Sequence, residues 1–186
     1  MNAQAARGPS IIAPPPLLYL IPLLGGGLLD RAVPLPGLPV GARRLGYPLA
    51  AAGVALGTWF VRTMHAANTP VDPRQRPTTL VSSGPFRHSR NPGYLGLTLA
   101  YTGISLATNR RWPLVFLPAV IAAVDRGVVR HEERYLRDRF GREYEDYERR
   151  VPRWLSSTWS PGSQKLGGGK AGEHDPGSEK HAANDI

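Results

Sequence analysis

The sequence predicts an all-α fold, an integral membrane helical bundle of about four transmembrane helices followed by a cytosolic amphipathic C-terminal helix. Two observations lead to this prediction. Four apolar runs contain no charged residue, and arginine-rich segments separate them. The runs cover residues 8–29, 45–61, 91–109 and 112–124. The mean hydropathy of −0.26 is low because polar residues are concentrated beyond the last run, which a whole-chain average hides.

The first run is N-terminal, so it also fits a secretory signal peptide. It contains five prolines and three consecutive glycines, and it offers no obvious cleavage site. These features favour a retained span over a cleaved signal. The second run has 17 residues, which is at the lower limit for crossing a bilayer.

The third run begins at Asn91, directly before a proline. Pro92 excludes the helical conformation at Asn91 and itself suits the first turn of a helix, so a helix is predicted to start here. The 19 residues from Asn91 to Asn109 are enough to cross most of a bilayer core. The fourth run has 13 residues and is interpreted as a short or tilted span, forming a helical hairpin with the third.

Loop charges predict the topology. The segment 62–90 contains five arginines and one aspartate, and the chain beyond residue 125 is also rich in arginine. Both segments are therefore expected to face the cytoplasm, with both termini inside. The chain divides into an N-terminal transmembrane region with two spans (1–67), a core with the hairpin and the C-terminal helices (68–155), and a disordered tail (156–186).

Beyond the fourth run, apolar residues recur at helical intervals and indicate amphipathic helices. Gly141 is expected to end one helix and Pro152 the next. Four aromatic side chains are expected at the membrane interface: Tyr144, Tyr147, Trp154 and Trp159.

Composition excludes several classes of function. The chain has no cysteine, which removes disulfide scaffolds, thiolate metal sites and cysteine nucleophiles. Its five histidines lack metal-ligand spacing, so no metal is predicted. A formal net charge of +9 suits nucleic acid or an anionic membrane surface. The apolar runs favour the membrane, and no nucleic-acid partner is expected.

Two polar clusters flank the hairpin on the same predicted side, "SSGPFRHSRNPGYLG" before it and "DRGVVRHEERYL" after it. If the hairpin is tight, Asn91 and Tyr94 at its entrance lie near Arg126, Glu132 and Glu133 at its exit. Such a pocket suits a zwitterionic or amphiphilic small molecule. In the simpler alternative, the glutamates are solvated ion-pair partners and Tyr94 is an interfacial anchor.

Taken together, "NTPVDPRQRPTTLVSSGPFRHSRNPGYLGLTLAYTGISLA", a further apolar run and "EERYLRDRFGREYEDYERRVPRWL" resemble the isoprenylcysteine carboxyl methyltransferase family and its phospholipid methyltransferase relatives. The resemblance covers residues 68–154. It implies that residues 68–155 form the cofactor-binding core of a membrane methyltransferase that uses S-adenosylmethionine.

The resemblance also implies roles for individual residues. It assigns Arg126 to the substrate side of the reaction, and therefore to catalysis. The positions that match cofactor-binding segments of the family are Thr78, Thr79, Leu80, Val81, Phe86, Arg90, Asn91, Pro92, Gly93, Tyr94 and Glu132. The sequence departs from the family pattern at two of them, with Asn91 in place of a histidine and Phe86 in place of a frequent tyrosine.

The expected function is therefore methyl transfer to a lipophilic acceptor by a multi-pass protein of a bacterial inner membrane, with membrane lipids as neighbours and the active site facing the cytoplasm. A prenylated carboxylate, a phospholipid amine and a small apolar metabolite all stay open as acceptors. The alternative is a non-catalytic protein of the same fold that binds a lipid or a protein partner.

Overall fold

The computed structural model describes residues 13–155, and within that range the chain is helical and contains no β-strand. The six α-helices are α1 (Pro15–Ala32), α2 (Val40–Ala66), α3 (Pro92–Ala107), α4 (Trp112–Val124), α5 (Arg130–Phe140) and α6 (Arg142–Arg150). A short 3₁₀ helix, Gly84–Arg87, precedes α3. A π-helical turn, Asp125–Val129, joins α4 to α5 so that they form one continuous helix.

Prolines and glycines set the helix ends where the sequence predicts them. Pro92 occupies the first turn of α3, and Asn91 before it is non-helical, with φ −126° and ψ 51°. Gly141 separates α5 from α6 with φ +52°, a left-handed conformation that favours glycine. α6 ends at Arg150, two residues before Pro152, and α3 and α4 form the predicted hairpin.

Glycines bring α2 and α3 into backbone contact. A Cβ atom on Gly53 would lie 2.3 Å from the amide nitrogen of Ala100, and one on Gly46 would lie 2.4 Å from that of Ala107. On α3, a Cβ atom on Gly103 would lie 2.2 Å from the Ala50 nitrogen. Small residues allow this approach, which is a common way for helices to associate in membranes.

The other pair of long helices, α1 and α4, packs around an aromatic and aliphatic cluster. This cluster contains Tyr19, Tyr101, Val120, Val124 and Val129, all buried. The Tyr101 hydroxyl donates a hydrogen bond to the Pro113 carbonyl at 2.7 Å, which ties α3 to the start of α4. The hairpin is therefore held both by packing and by a buried hydrogen bond.

Among residues 13–155, one helix is long and apolar enough to cross a membrane, Trp112–Phe140. The expectation of four spans is therefore not confirmed, although the all-helical architecture is. α1 and α2 nevertheless expose large apolar side chains on their outer faces, including Ile21, Leu28 and Val54, each more than half exposed. The expected tail, residues 156–186, and the first residues of the predicted first span lie outside the described residues.

The C-terminal helices correct one expectation. Tyr144 and Tyr147 do not lie at an exposed interface, because their side chains are only 1% and 4% exposed and pack with Val151 in a second cluster. Tyr147 also donates a hydrogen bond to the Phe86 carbonyl at 2.8 Å. The predicted amphipathic helix is confirmed, but the aromatic face of α6 packs against the protein.

Candidate active site

The two predicted polar clusters meet at a hydrogen bond between Tyr94 and Glu132. Tyr94 lies in the first turn of α3 and Glu132 in the first turn of α5, and the Tyr94 hydroxyl donates to Glu132 Oε1 at 2.8 Å. From α1, the Tyr19 hydroxyl shares a hydrogen bond of 2.9 Å with Thr98, one turn further along α3. The predicted convergence of Tyr94 and Glu132 is therefore confirmed.

The hydrogen-bonded pair lines a cavity of about 600 Å³. This volume lies within the range of roughly 300–1,000 Å³ that is typical of small-molecule and cofactor sites. Most of the predicted cofactor-binding residues line it: Thr79, Leu80, Val81, Phe86, Arg90, Asn91, Pro92, Gly93, Tyr94 and Glu132. The geometry thus brings together residues from one loop and two helices.

Thr78 does not line the cavity. Its hydroxyl donates to the Asn68 carbonyl at 3.0 Å and lies 2.9 Å from the hydroxyl of Thr69, which is buried. Thr78 therefore closes the loop between α2 and the 3₁₀ helix, whereas its neighbour Thr79 faces the cavity. Arg139 of α5 supports the same loop by donating to the Pro77 carbonyl at 3.1 Å.

Arg126 does not line the cavity either, so its predicted contact with the substrate has no support in the geometry. It lies in the π-helical turn, six residues before Glu132 on the same continuous helix. Six residues are not a whole number of turns in an α-helix or in a π-helix, so Arg126 and Glu132 point to different sides, and Arg126 is exposed.

Arg90 forms the centre of an ionic network at the cavity wall. Its guanidinium pairs with Glu148 and lies 3.4 Å from Glu133, and its side chain is only 9% exposed. Glu148 also accepts a hydrogen bond from Arg137 at 2.7 Å. The Nε atom of Arg90 is buried and has no hydrogen-bond partner among residues 13–155.

The network affects Glu148 directly. Burial alone would raise the pKa of this carboxyl group, but the hydrogen bonds from Arg137 and Arg90 outweigh that effect. The pKa of Glu148 therefore lies below its ordinary value. In the same region, burial raises the pKa of Tyr144 to about 12. Glu148 is consequently ionised and Tyr144 neutral near pH 7.

The Asn91 side chain binds another segment of the protein. Its side-chain amide donates to the Arg153 carbonyl at 3.1 Å, and its own backbone N–H donates to Ser89 Oγ at 3.1 Å. Asn91 thus borders the cavity while holding the segment that follows α6. An amide at this position keeps a hydrogen-bond donor and does not titrate, unlike the histidine of the family pattern.

Charges on the cavity wall are unevenly balanced. Arg74 forms an ion pair with Asp72 at 2.8 Å, and Arg90 is paired with Glu133 and Glu148. Glu132 forms no ion pair within the described part of the chain, and its hydrogen-bond partner there is the Tyr94 hydroxyl. The wall therefore presents one carboxylate that lacks a cationic partner.

Part of the cavity comes from residues that sequence reasoning did not select. They are Pro14, Pro15, Pro16, Gly57, Phe60, Val61 and Met64, from the start of α1 and the middle of α2. All are apolar, and all but Met64 belong to runs that predicted only membrane spans. Nothing in their local pattern separates a cavity-facing residue from a lipid-facing one, because that difference depends on helix rotation.

Comparison with known protein families identifies the matched part of the chain. A family model described as phospholipid methyltransferase matches residues 42–143, more than half of the sequence. The chain belongs to the phospholipid methyltransferase family. No curated protein and no solved structure gives a match. Family membership implies a membrane-associated methyltransferase and confirms the resemblance drawn from the motifs.

The cavity also fits the methyl donor that methyltransferases in general use, S-adenosylmethionine. This molecule carries a carboxylate, an ammonium and a sulfonium, so its positive charges outnumber its negative one. The wall offers a complement to the positive charge, the carboxylate of Glu132, which has no cationic partner among residues 13–155. Apolar and aromatic side chains such as Leu80 and Phe86 supply surfaces for the uncharged remainder.

Proposed function

We propose that the protein is an S-adenosylmethionine-dependent membrane methyltransferase that acts on a lipophilic acceptor. The observation that carries the proposal is the Tyr94–Glu132 hydrogen bond on the wall of a cavity of about 600 Å³, in a chain of the phospholipid methyltransferase family. A half-buried carboxylate that lacks a cationic partner is costly unless a ligand compensates it, so its presence on a cavity wall supports a cationic ligand.

Glu132 is the residue that would hold the positively charged groups of the cofactor, and Tyr94 holds Glu132 in place by its hydrogen bond. When bound, the cofactor supplies an electrophilic methyl group. Direct displacement requires no protein nucleophile, and within residues 13–155 the cavity wall carries no cysteine, serine, lysine or histidine side chain. The protein contributes alignment of the two reactants and exclusion of water.

The charge balance also bears on the acceptor. A carboxylate acceptor would be expected to use a cationic side chain for orientation, but Arg74 and Arg90 on the wall are already paired with carboxylates. This favours an acceptor that reacts as an uncharged amine. The wall formed by Phe60, Val61 and Met64 suits the apolar part of such a molecule.

A multi-pass arrangement in a bacterial inner membrane, with the cavity reached from the cytoplasm, belongs to the same proposal. It is supported by the exposed apolar side chains on α1 and α2 and by the arginine-rich segment between α2 and α3. It predicts that the protein is extracted from membranes by detergent and not by high salt or alkaline carbonate.

The test is transfer of a labelled methyl group by purified protein in lipid vesicles. The acceptors are a primary-amine phospholipid and, separately, an S-alkylated cysteine carboxylate. We expect labelling of the amine lipid by the wild type and a loss of at least about tenfold in Glu132→Gln, because that variant removes the unpaired charge but keeps the shape.

Glu145→Gln is the matched control, since Glu145 is an exposed glutamate on α6 that lies outside the cavity lining. It should label the lipid like the wild type. If the folded wild type neither binds the cofactor nor labels any acceptor, the catalytic proposal is wrong. The remaining alternative is then a non-catalytic protein that binds lipid. Labelling of the carboxylate alone would overturn the preference for an amine.

A further inference from the structure

The segment after α6, residues 151–155, is attached to the residues that precede α3. The Arg90 backbone N–H donates to the Pro152 carbonyl at 2.9 Å. The Arg153 carbonyl accepts from Asn91 Nδ2 at 3.1 Å and from Ser89 Oγ at 3.2 Å. Three hydrogen bonds over two consecutive carbonyls therefore fix this segment against the start of the helix that carries Tyr94.

The Arg153 side chain reaches the other half of the site. Its Nε and Nη2 atoms donate to the Glu133 carboxylate at 3.0 and 2.6 Å, and Nη1 lies 3.7 Å from Asp125 Oδ1 in the π-helical turn. Glu133 is only 4% exposed and lies in the first turn of α5. A contact that holds its carboxylate therefore holds the start of that helix. Glu133 is also the immediate neighbour of Glu132.

One residue thus connects both partners of the Tyr94–Glu132 hydrogen bond. The backbone of Arg153 holds the entrance of α3, and its guanidinium fork holds the first turn of α5. A two-pronged contact between guanidinium and carboxylate fixes direction as well as distance, which a single ammonium group does not. Arg153 lies outside residues 42–143, the part that the family model matches.

We propose that Arg153 is a positioning residue that holds Tyr94 and Glu132 at hydrogen-bonding distance and thereby sets the affinity for the cofactor. The inference rests on the proposed function, which supplies the identity of the ligand as S-adenosylmethionine. It does not make Arg153 a catalytic residue, because its side chain touches Glu133 and Asp125 and does not line the cavity.

The first test is a double-mutant cycle that measures equilibrium binding of labelled S-adenosylmethionine. Arg153→Lys keeps the charge but loses the fork, so we expect it to weaken binding about tenfold in the wild-type background. In the Glu132→Gln background the same change should have an effect of less than about twofold, because the positioned carboxylate is gone. A merely structural role would weaken both backgrounds equally, and that result, or no weakening at all, overturns the proposal.

Arg149→Lys is the control, because Arg149 is exposed and pairs with Asp146 on its own helix. The second test needs no cofactor. The chain has no cysteine, so Arg87→Cys and Asp138→Cys place two spin labels at exposed positions before α3 and on α5. Pulsed electron resonance should show a broader distance distribution with Arg153→Lys and an unchanged one with Arg149→Lys.

The two tests separate the two proposals. If the folded wild type does not bind the cofactor but Arg153→Lys broadens the label distances, the proposed function is wrong and the positioning role stands. If the wild type binds the cofactor and the distances are unchanged in Arg153→Lys, the positioning role is wrong.

Discussion

The contact between α2 and α3 makes a sharp prediction about Gly53. An alanine Cβ at this position would lie 2.3 Å from the Ala100 nitrogen and 2.7 Å from the Gly96 carbonyl oxygen. Ordinary van der Waals contact begins near 3.4 Å, so the helices must separate by about 1 Å at the crossing. Both obstructing atoms are backbone, and no side-chain rotation relieves the clash.

The expected cost follows from opposing effects. Overpacking of this kind costs about 1–3 kcal/mol, whereas replacing a mid-helix glycine by alanine stabilises the helix by about 0.5–1 kcal/mol. We therefore expect Gly53→Ala to lose about 0.5–2 kcal/mol of unfolding free energy. For a chain of this length, each kcal/mol corresponds to about 2–4 °C, so the Tm should fall by about 1–8 °C.

Gly57→Ala is the matched control on the same helix, because a Cβ atom there meets nothing within 4 Å among the described residues. Its Tm should stay the same or rise. The assay is thermal unfolding of both variants in the same detergent, followed by helical circular dichroism. If Gly53→Ala unfolds at the same temperature as Gly57→Ala or above it, the two helices are not in backbone contact and the reasoning is refuted.

Two further predictions concern loop geometry and pH. Asn109 has φ +58°, and its Oδ1 accepts a hydrogen bond from the Leu38 backbone N–H at 2.8 Å. Asn109→Ala should therefore lose about 1–3 kcal/mol of unfolding free energy and Asn109→Gly less, as measured by Tm. Equal losses in the two variants would contradict the role of the left-handed conformation. Because the folded-state pKa of Glu148 is lowered, its ion pairs add stability that is fully present above the unfolded pKa, near 4.5, and is lost as the pH falls through the folded value. Glu148→Gln should therefore lower the Tm at pH 7, and the gap to wild type should close at the lowest accessible pH; a gap that persists there would contradict it.

The helix ends and the polar pair were predictable because their causes are local. Pro92 and Gly141 act through the dihedral angles of one or two residues, so their effect does not depend on the rest of the fold. The meeting of Tyr94 with Glu132 needed only one long-range assumption, a tight hairpin, which α3 and α4 form.

The predicted role of Arg126 lacked such a local cause. It depended on how far the helix after α4 is rotated, and the π-helical turn of five residues changes that rotation. The same holds for Tyr144 and Tyr147, whose amphipathic spacing indicates one apolar face but not whether lipid or protein covers it.

By itself, the sequence determined where the helices begin and end, the family to which the chain belongs and which two polar segments approach each other, because these depend on local backbone restrictions and on residues close along the chain. Only the tertiary structure decided which arginines are already paired, that Asn91 and Arg153 bind each other, and that Gly53 and Gly103 touch backbone. Those features depend on helix rotation and on distances between residues dozens of positions apart, which no local pattern encodes.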